Sequence, residues 1–276
     1  MHNIIVTVDF TPGSVNACRY AAQMAEMLQA KLMVLAVHQL PVSFAYASGQ
    51  EIVKEEESVE GSLENLKMSL DRLTNSSVEI VTGNLVQSFD DELAEWCDNH
   101  KPIMVIMGMH EPSFMERMFV EDRALHHARN LKYPVLLVPP HVKFAKVSNM
   151  ALASDLEDLG AVPQNEIAMF MHLFGSPLQV LHIAKTEEDL NNRATHNQLA
   201  EKAFEALKPG FHYCHAKTVK EGIEKLTGEL NIDMLIVIPK HQGLFQKSHS
   251  REFIFRNPVP VMAIHPYDHY NQIIFN

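Results

Sequence analysis

The sequence predicts an α/β fold made of two tandem doubly wound parallel-sheet domains, residues 1–144 and residues 145–276. Three observations predict it. Short apolar runs alternate with stretches of helical period, the same runs recur in order in the second half, and 276 residues suffice for two cores of ordinary size. The runs are continuously apolar, which is typical of parallel strands that helices cover on both faces.

The internal repeat is carried by four apolar runs that occur in the same order in each half. The first run ends at an aspartate in both halves, at Asp9 and at Asp155. The next three pairs are 32–35 with 178–181, 104–108 with 235–239, and 134–138 with 260–264. In the pair 104–108 with 235–239, Gly108 is matched to Pro239. The spacing between partners shrinks toward the C-terminus, so we expect shorter loops in the second half.

Within each half, the pattern predicts five strands separated by four helices and joined as right-handed βαβ units. Helical period is clearest over residues 14–29, 63–73 and 89–97 of the first half. Residues 39–60 are rich in glutamate, and we interpret them as a long connection that runs into a solvated helix start.

Charge and cysteine content exclude several classes of protein. The chain has 34 acidic and 23 basic side chains and a formal net charge of −11, without a basic stripe, so we do not expect it to bind nucleic acid. Its three cysteines (Cys18, Cys97 and Cys214) are scattered and form no CxxC motif or disulfide framework. Neither a signal peptide nor a membrane-spanning run is apparent, so we expect a cytoplasmic protein without a membrane partner.

Several motifs together point to a known family. The apolar strand ending at Asp9, the small-residue helix after it and the strand at 30–35 stand in an order that resembles the universal stress protein family. The runs Val-Ile-Met-Gly-x-His at 105–110 and Tyr-Pro-Val-Leu-Leu-Val-Pro at 133–139 add to this resemblance, which covers nearly the whole chain twice. Nucleotide-binding members carry Gly-x2-Gly-x9-Gly-Ser/Thr after the fourth strand, and their first-strand aspartate lies near the nucleoside.

In the first half, this resemblance implies a degenerate nucleotide site. Asp9 fits the first-strand aspartate and Gly108 fits the first glycine, but Glu111 stands at the second glycine and Glu121-Asp122 stand at Gly-Ser. Carboxylates interact favourably with the N–H groups of a helix start, so they would cap the helix and repel a polyphosphate. We therefore expect no bound ATP and no cofactor in this half.

In the second half, the corresponding loop is shorter and keeps some polar groups. Pro239 and Gln242 replace the first two glycines. A tentative site for a small anion or nucleotide would use six residues near the strand ends and the following helix start: Asp155, Lys240, His241, Lys247, Ser248 and Ser250. The alternative is a serine N-cap on a basic surface loop.

The resemblance also implies how the halves associate. Members of the family commonly dimerise through the last strand, which is predicted here at 134–138 and at 259–264. Because an unpaired edge strand invites association, we expect these strands to pair the halves as an intramolecular pseudo-dimer. A homodimer is a further arrangement that such edges allow.

No motif of a catalytic or metal site is present. The sequence has no Gly-x-Ser-x-Gly elbow, no Walker motif and no Rossmann glycine pattern, and its 16 histidines follow no zinc-ligand spacing. We therefore expect a non-enzymatic stress-response or binding protein without a metal site. Two alternatives stay open: a nucleotide or anion sensor acting through the second half, and a metal-binding or hydrolytic protein that uses the histidines.

Overall fold

The structure is a computed structural model that describes residues 1–37, 49–85, 89–109, 131–156, 159–184, 186, 200–239 and 257–265. In the first half the strands are β1 (Asn3–Val8), β2 (Lys31–Val37), β3 (Ile80–Leu85), β4 (Met104–Gly108) and β5 (Val135–Val138). The helices described there are α1 (Pro12–Leu28), α2 (Gly49–Leu73) and α3 (Phe89–His100).

The second half repeats this plan. Its strands are β6 (Met150–Ala153), β7 (Leu178–Ala184), β8 (Gly210–His215), β9 (Met234–Val237) and β10 (Val261–Ala263). Its described helices are α4 (Gln164–Phe174) and α5 (Val219–Glu229), and a 3-10 turn at Leu159–Ala161 precedes α4. The α/β prediction is confirmed. In the glutamate-rich segment, the described residues from Gly49 onward are helical and form the start of α2, in line with the predicted helix start.

The described strands form one ten-stranded sheet in the order β3-β2-β1-β4-β5-β10-β9-β6-β7-β8. Within each half, all neighbours are parallel and the order is the same, with the first strand between the second and the fourth. The halves meet where β5 and β10 pair antiparallel, with Val261 opposite Leu137 and Ala263 opposite Val135.

Apolar side chains cover both faces of this sheet. The inner parallel strands are buried almost throughout, as their continuously apolar sequences predict, whereas the edge strands β3 and β8 are largely half-buried. Helix α1 lies against β1 and β4 through small side chains, among them Ala17, Ala21 and Ala25, which allow the helix backbone to approach the sheet. On each face one cluster of buried side chains continues from the first half into the second.

Strand register corrects one detail of the repeat. Ile4 in β1 pairs with Met104, and the corresponding Met150 in β6 pairs with Met234. Met104 and Met234 are therefore equivalent, and Gly108 corresponds to Ile238 instead of Pro239. The sequence match was wrong by one residue, because two apolar runs align almost equally well in either register, whereas backbone pairing admits one.

The repeat extends to backbone conformation. The residue after each strand-end aspartate is left-handed, with φ of 60° at Phe10 and 61° at Leu156. The residue that ends the first helix of each half is also left-handed, with φ of 50° at Gln29 and 60° at Gly175. Among the helices that the structure describes, none is long and apolar enough to cross a membrane.

Candidate ligand site

Each half has one place where a ligand crevice is expected. In open α/β sheets, ligands bind at the carboxyl edge where the strand order reverses. This switch point lies between β1 and β4 in the first half and between β6 and β9 in the second. Asp9 directly follows β1, and Asp155 lies two residues beyond β6. The structure therefore places both predicted aspartates at the expected edge, and both are exposed.

In the first half, Asp9 organises the turn that leads into α1. Its Oδ1 accepts hydrogen bonds from the Thr11 backbone N–H at 3.0 Å and from the Thr11 hydroxyl at 2.6 Å. The Asp9 N–H in turn donates to Ser14 Oγ at 3.3 Å. Thr11 is the N-cap of α1, and Pro12 follows it at the start of the helix, where its fixed φ is favourable. Asp9 thus acts as a turn cap.

Gly108 lies at the end of β4 beneath the start of α1. A β-carbon at this position would come within 2.6 Å of both the Gly13 carbonyl carbon and the Ser14 Cα, and closer still to the Gly13 oxygen. These are backbone atoms, which cannot move aside as a flexible side chain would. Packing of the first helix against the strand therefore requires a glycine here, whether or not a ligand binds.

The second half is built differently at the same place. Ile238 stands where the first half has Gly108, and its half-buried side chain packs against the core. Helix α4 begins only at Gln164, although it ends at a position equivalent to the end of α1. Pro163 provides no side-chain cap, and a proline within a longer helix would remove a backbone hydrogen bond. The first helix of the second half therefore starts six residues later than its counterpart in the first half, after the 3-10 turn.

A histidine that the sequence analysis missed lies beside Ser154, the residue before Asp155. His182 in β7 is 9% exposed, and its Nδ1 is 3.1 Å from the Ser154 carbonyl oxygen. Its ring centroid is 5.6 Å from that of Tyr213 in β8. The equivalent position in the first half is Ala36. The signal in the sequence was a single histidine that interrupts the apolar run of β7.

The remaining predicted site residues lie outside the described residues. They are Glu111, Glu121 and Asp122 in the first half and Lys240, His241, Lys247, Ser248 and Ser250 in the second. The structure therefore gives positions for Asp9, Gly108 and Asp155, and the proposed roles of the other residues stay predictions from sequence.

Burial makes two cysteines poor nucleophiles. Burial, with a smaller contribution from the Asp9 charge, raises the pKa of the Cys18 thiol far above its usual range. Burial, followed by the Asp98 charge, raises the pKa of Cys97 to about 12. Since the thiolate is the reactive form, both groups are inert near neutral pH.

Across the described ranges, no three His, Cys, Asp or Glu side chains converge as metal ligands would.

Comparison with known proteins agrees with the fold and its repeat. The model of the universal stress protein family matches residues 1–139. This chain belongs to the universal stress protein family. Among solved structures, a universal stress protein from Archaeoglobus fulgidus is 16% identical, with 96% of this chain and 97% of that chain covered and a TM-score of 0.69.

A second solved structure covers this universal stress protein over nearly its whole length. It is a protein of unknown function from Pseudomonas aeruginosa, 11% identical, with 96% of this chain and 92% of that chain covered and a TM-score of 0.58. At these identities, both likenesses show the fold alone. Among curated proteins, no match was found.

Proposed function

We propose that this universal stress protein is a non-enzymatic binding protein of the stress response whose first half does not hold ATP. The observation that carries the proposal is the close approach of the α1 backbone, at Gly13 and Ser14, to Gly108. Glycine at the first motif position is explained by packing against Gly13, so its presence is no sign of a phosphate-binding loop. Asp9 accepts two hydrogen bonds from Thr11, which supports a role for this carboxylate in shaping the turn.

The charges expected around the phosphate position point the same way. Glu111, Glu121 and Asp122 would place three carboxylates where the family's nucleotide binders have glycines and a serine. Carboxylates near a helix start compete with phosphate for its N–H groups and repel a polyphosphate electrostatically. In the first half, a nucleoside triphosphate would therefore find the helix N–H groups already bonded to carboxylates and would be repelled by their negative charge.

The second half is the better candidate for a small anionic ligand. Helix α4 begins only at Gln164, and the half's carboxyl edge holds His182, whose Nδ1 lies 3.1 Å from the Ser154 carbonyl oxygen. The sequence adds basic and hydroxyl groups after β9, in Lys240, Lys247 and Ser248. Inorganic phosphate or a nucleoside monophosphate fits such a set better than a triphosphate, because the shortened loop lacks the family's glycines.

Titration calorimetry on the full chain tests this assignment. We expect the wild type to bind inorganic phosphate or AMP weakly and ATP not at all. A Lys247→Glu, Ser248→Ala variant should lose the phosphate or AMP binding. A Glu111→Gly, Glu121→Gly, Asp122→Ser variant should gain some ATP binding. Micromolar ATP affinity that the Lys247→Glu, Ser248→Ala variant retains in full would contradict the proposal, and so would ATP turnover above a heat-denatured control.

We also propose that the two halves function as an intramolecular pseudo-dimer. Antiparallel pairing of β5 with β10 and the continuous cores on both faces support this arrangement. Since this pairing occupies the edges that would otherwise form a homodimer, we expect the full chain to sediment as a monomer at micromolar concentration. A stable dimer in analytical ultracentrifugation would require an additional interface and would weaken the proposal.

A further inference from the structure

The connection between the halves, residues 139–149, is irregular but held firmly at its beginning by α1. The Asn16 amide donates to the Val142 carbonyl at 2.8 Å and to the Pro139 carbonyl at 3.4 Å. One helical turn further on, the ring of Tyr20 packs edge-on against Phe144 with centroids 5.2 Å apart. Residues four apart share one helix face, so α1 offers the connection a polar and an aromatic contact on the same side.

The end of the connection is held by the second half. Asp233, directly before β9, accepts hydrogen bonds at Oδ2 from the backbone N–H groups of Ser148 at 2.8 Å and Asn149 at 3.0 Å. Its charge also reaches the first half: burial and then the Asp233 charge raise the pKa of the Tyr20 phenol. Between the two attachments, Val147 is 1% exposed and joins the buried cluster on one face of the sheet.

The anchoring residues are those at which the repeat breaks. By the register of the two halves, Asn16 corresponds to Val162, and Tyr20 corresponds to Glu166. Asp233 corresponds to Ile103, which has no side-chain acceptor. Neighbouring positions keep their equivalents, since Asn3 and Asn149 bond the same helix end in their own halves. The side chains that hold the connection in the described residues therefore differ from their counterparts in the repeat.

We propose that residues 139–149 form a fixed strap, with Asn16, Tyr20 and Asp233 as its anchors, that joins the two halves into one cooperative unit. A flexible linker would exchange its amide hydrogens freely and would leave the pairing of β5 with β10 and the shared clusters as the links between the halves. The strap instead ties α1 of the first half to the start of β6 and β9 in the second. This role is independent of ligand binding at either carboxyl edge.

Hydrogen–deuterium exchange on the full chain, together with urea unfolding, tests the strap. In the wild type we expect peptides covering 139–149 to be protected and a single unfolding transition. In Asn16→Ala, Tyr20→Leu, exchange in those peptides should rise at least tenfold, and unfolding should separate into two transitions. Arg19→Ala is the control, because Arg19 is exposed on the same helix and should change neither measurement.

Asp233 gives a second route that leaves the core of α1 intact. Asp233→Ala should also raise exchange in the strap, whereas Asp233→Asn keeps an acceptor oxygen and should preserve most of the protection. Strap peptides that exchange as fast as an unfolded chain in the wild type would overturn the proposal. Unchanged exchange and a single transition in both Asn16→Ala, Tyr20→Leu and Asp233→Ala would overturn it as well.

Discussion

The two halves share a strand order but start their first helix differently. In the first half, α1 begins four residues after the end of β1, and Gly13 lies on Gly108. In the second half, Ile238 takes the place of that glycine, and α4 begins eleven residues after the end of β6. The change from glycine to isoleucine at this strand end therefore coincides with a first helix that is shorter and that follows a 3-10 turn.

This difference separates two meanings of the same motif residue. A glycine at the end of the fourth strand lets the backbone approach phosphates in nucleotide-binding relatives, but it also lets the first helix approach the strand. The first half keeps the glycine together with the close helix, and its sequence has carboxylates at the other motif positions. The second half has lost both. A glycine at this position is therefore compatible with a purely structural role.

The largest effect is expected from adding one methyl group at Gly108. The new β-carbon in Gly108→Ala would overlap the backbone of Gly13 and Ser14. We therefore expect the free energy of unfolding to fall by about 3 kcal/mol or more, which is the upper end of the losses found when a packed site is overfilled. Urea unfolding measures this change. Gly61→Ala is the matched control, because a β-carbon at 61 meets nothing within 4 Å.

In an exposed helix position such as Gly61, alanine should stabilise the chain by about 0.5–1 kcal/mol. Similar small effects at both glycines would show that the helix start yields easily, and the structural explanation of Gly108 would then fail.

The halves should also differ at alkaline pH. Burial raises the pKa of both Cys18 and Cys97 in the first half, so these thiols stay protonated in the folded chain while they ionise near pH 9 when unfolded. A raised folded-state pKa adds stability below the unfolded pKa that is lost as the pH rises. By pH 10 the two thiols together should lower the free energy of unfolding by about 2–3 kcal/mol.

Unfolding free energies measured between pH 8 and pH 10 check this effect. The variant Cys18→Ala, Cys97→Ala should have a flatter pH dependence than the wild type over that interval. An equally steep decline in the variant would assign the alkaline loss to other groups.

The repeat and the α/β architecture could be predicted from the sequence, because strands that are buried on both faces have continuously apolar sequences that are visible without the structure. The equivalence of Gly108 and Ile238 could not, since a one-residue shift leaves an apolar run apolar and only backbone pairing reveals it. His182 was missed because a histidine within an apolar strand is usually a satisfied core residue, and its contact with Ser154 depends on the neighbouring strand. Asn16 and Tyr20 were missed because their partners follow β5, more than a hundred residues later.

A smaller effect is expected from shortening Ile238 in the second half. Ile238→Ala removes apolar surface that is only half-buried, so we expect the free energy of unfolding to fall by about 1–2 kcal/mol, below the range for fully buried sites. Pro163 still blocks an earlier start of α4, so the far-ultraviolet circular dichroism should not change. A gain in helix content would show that Ile238 alone holds the helix away.

The smallest expected effect concerns a contact that both halves retain. The Asn3 amide donates to the His100 carbonyl at 2.6 Å, and the Asn149 amide donates to the Leu230 carbonyl at 2.8 Å, each satisfying the end of the helix before the fourth strand. Replacing either asparagine by alanine should lower the free energy of unfolding by about 1 kcal/mol.

Asn149→Ala should cost slightly more than Asn3→Ala, because Asn149 Oδ1 also accepts a hydrogen bond from Gln179 Nε2 at 3.3 Å. In Gln179→Ala that extra contact is already absent, so adding Asn149→Ala should then cost about as much as Asn3→Ala, and a double-mutant cycle measures the difference. If Asn149→Ala has no effect while Asn3→Ala does, the contact is not equivalent in the two halves. The divergence seen at the carboxyl edge would then extend to the amino edge as well.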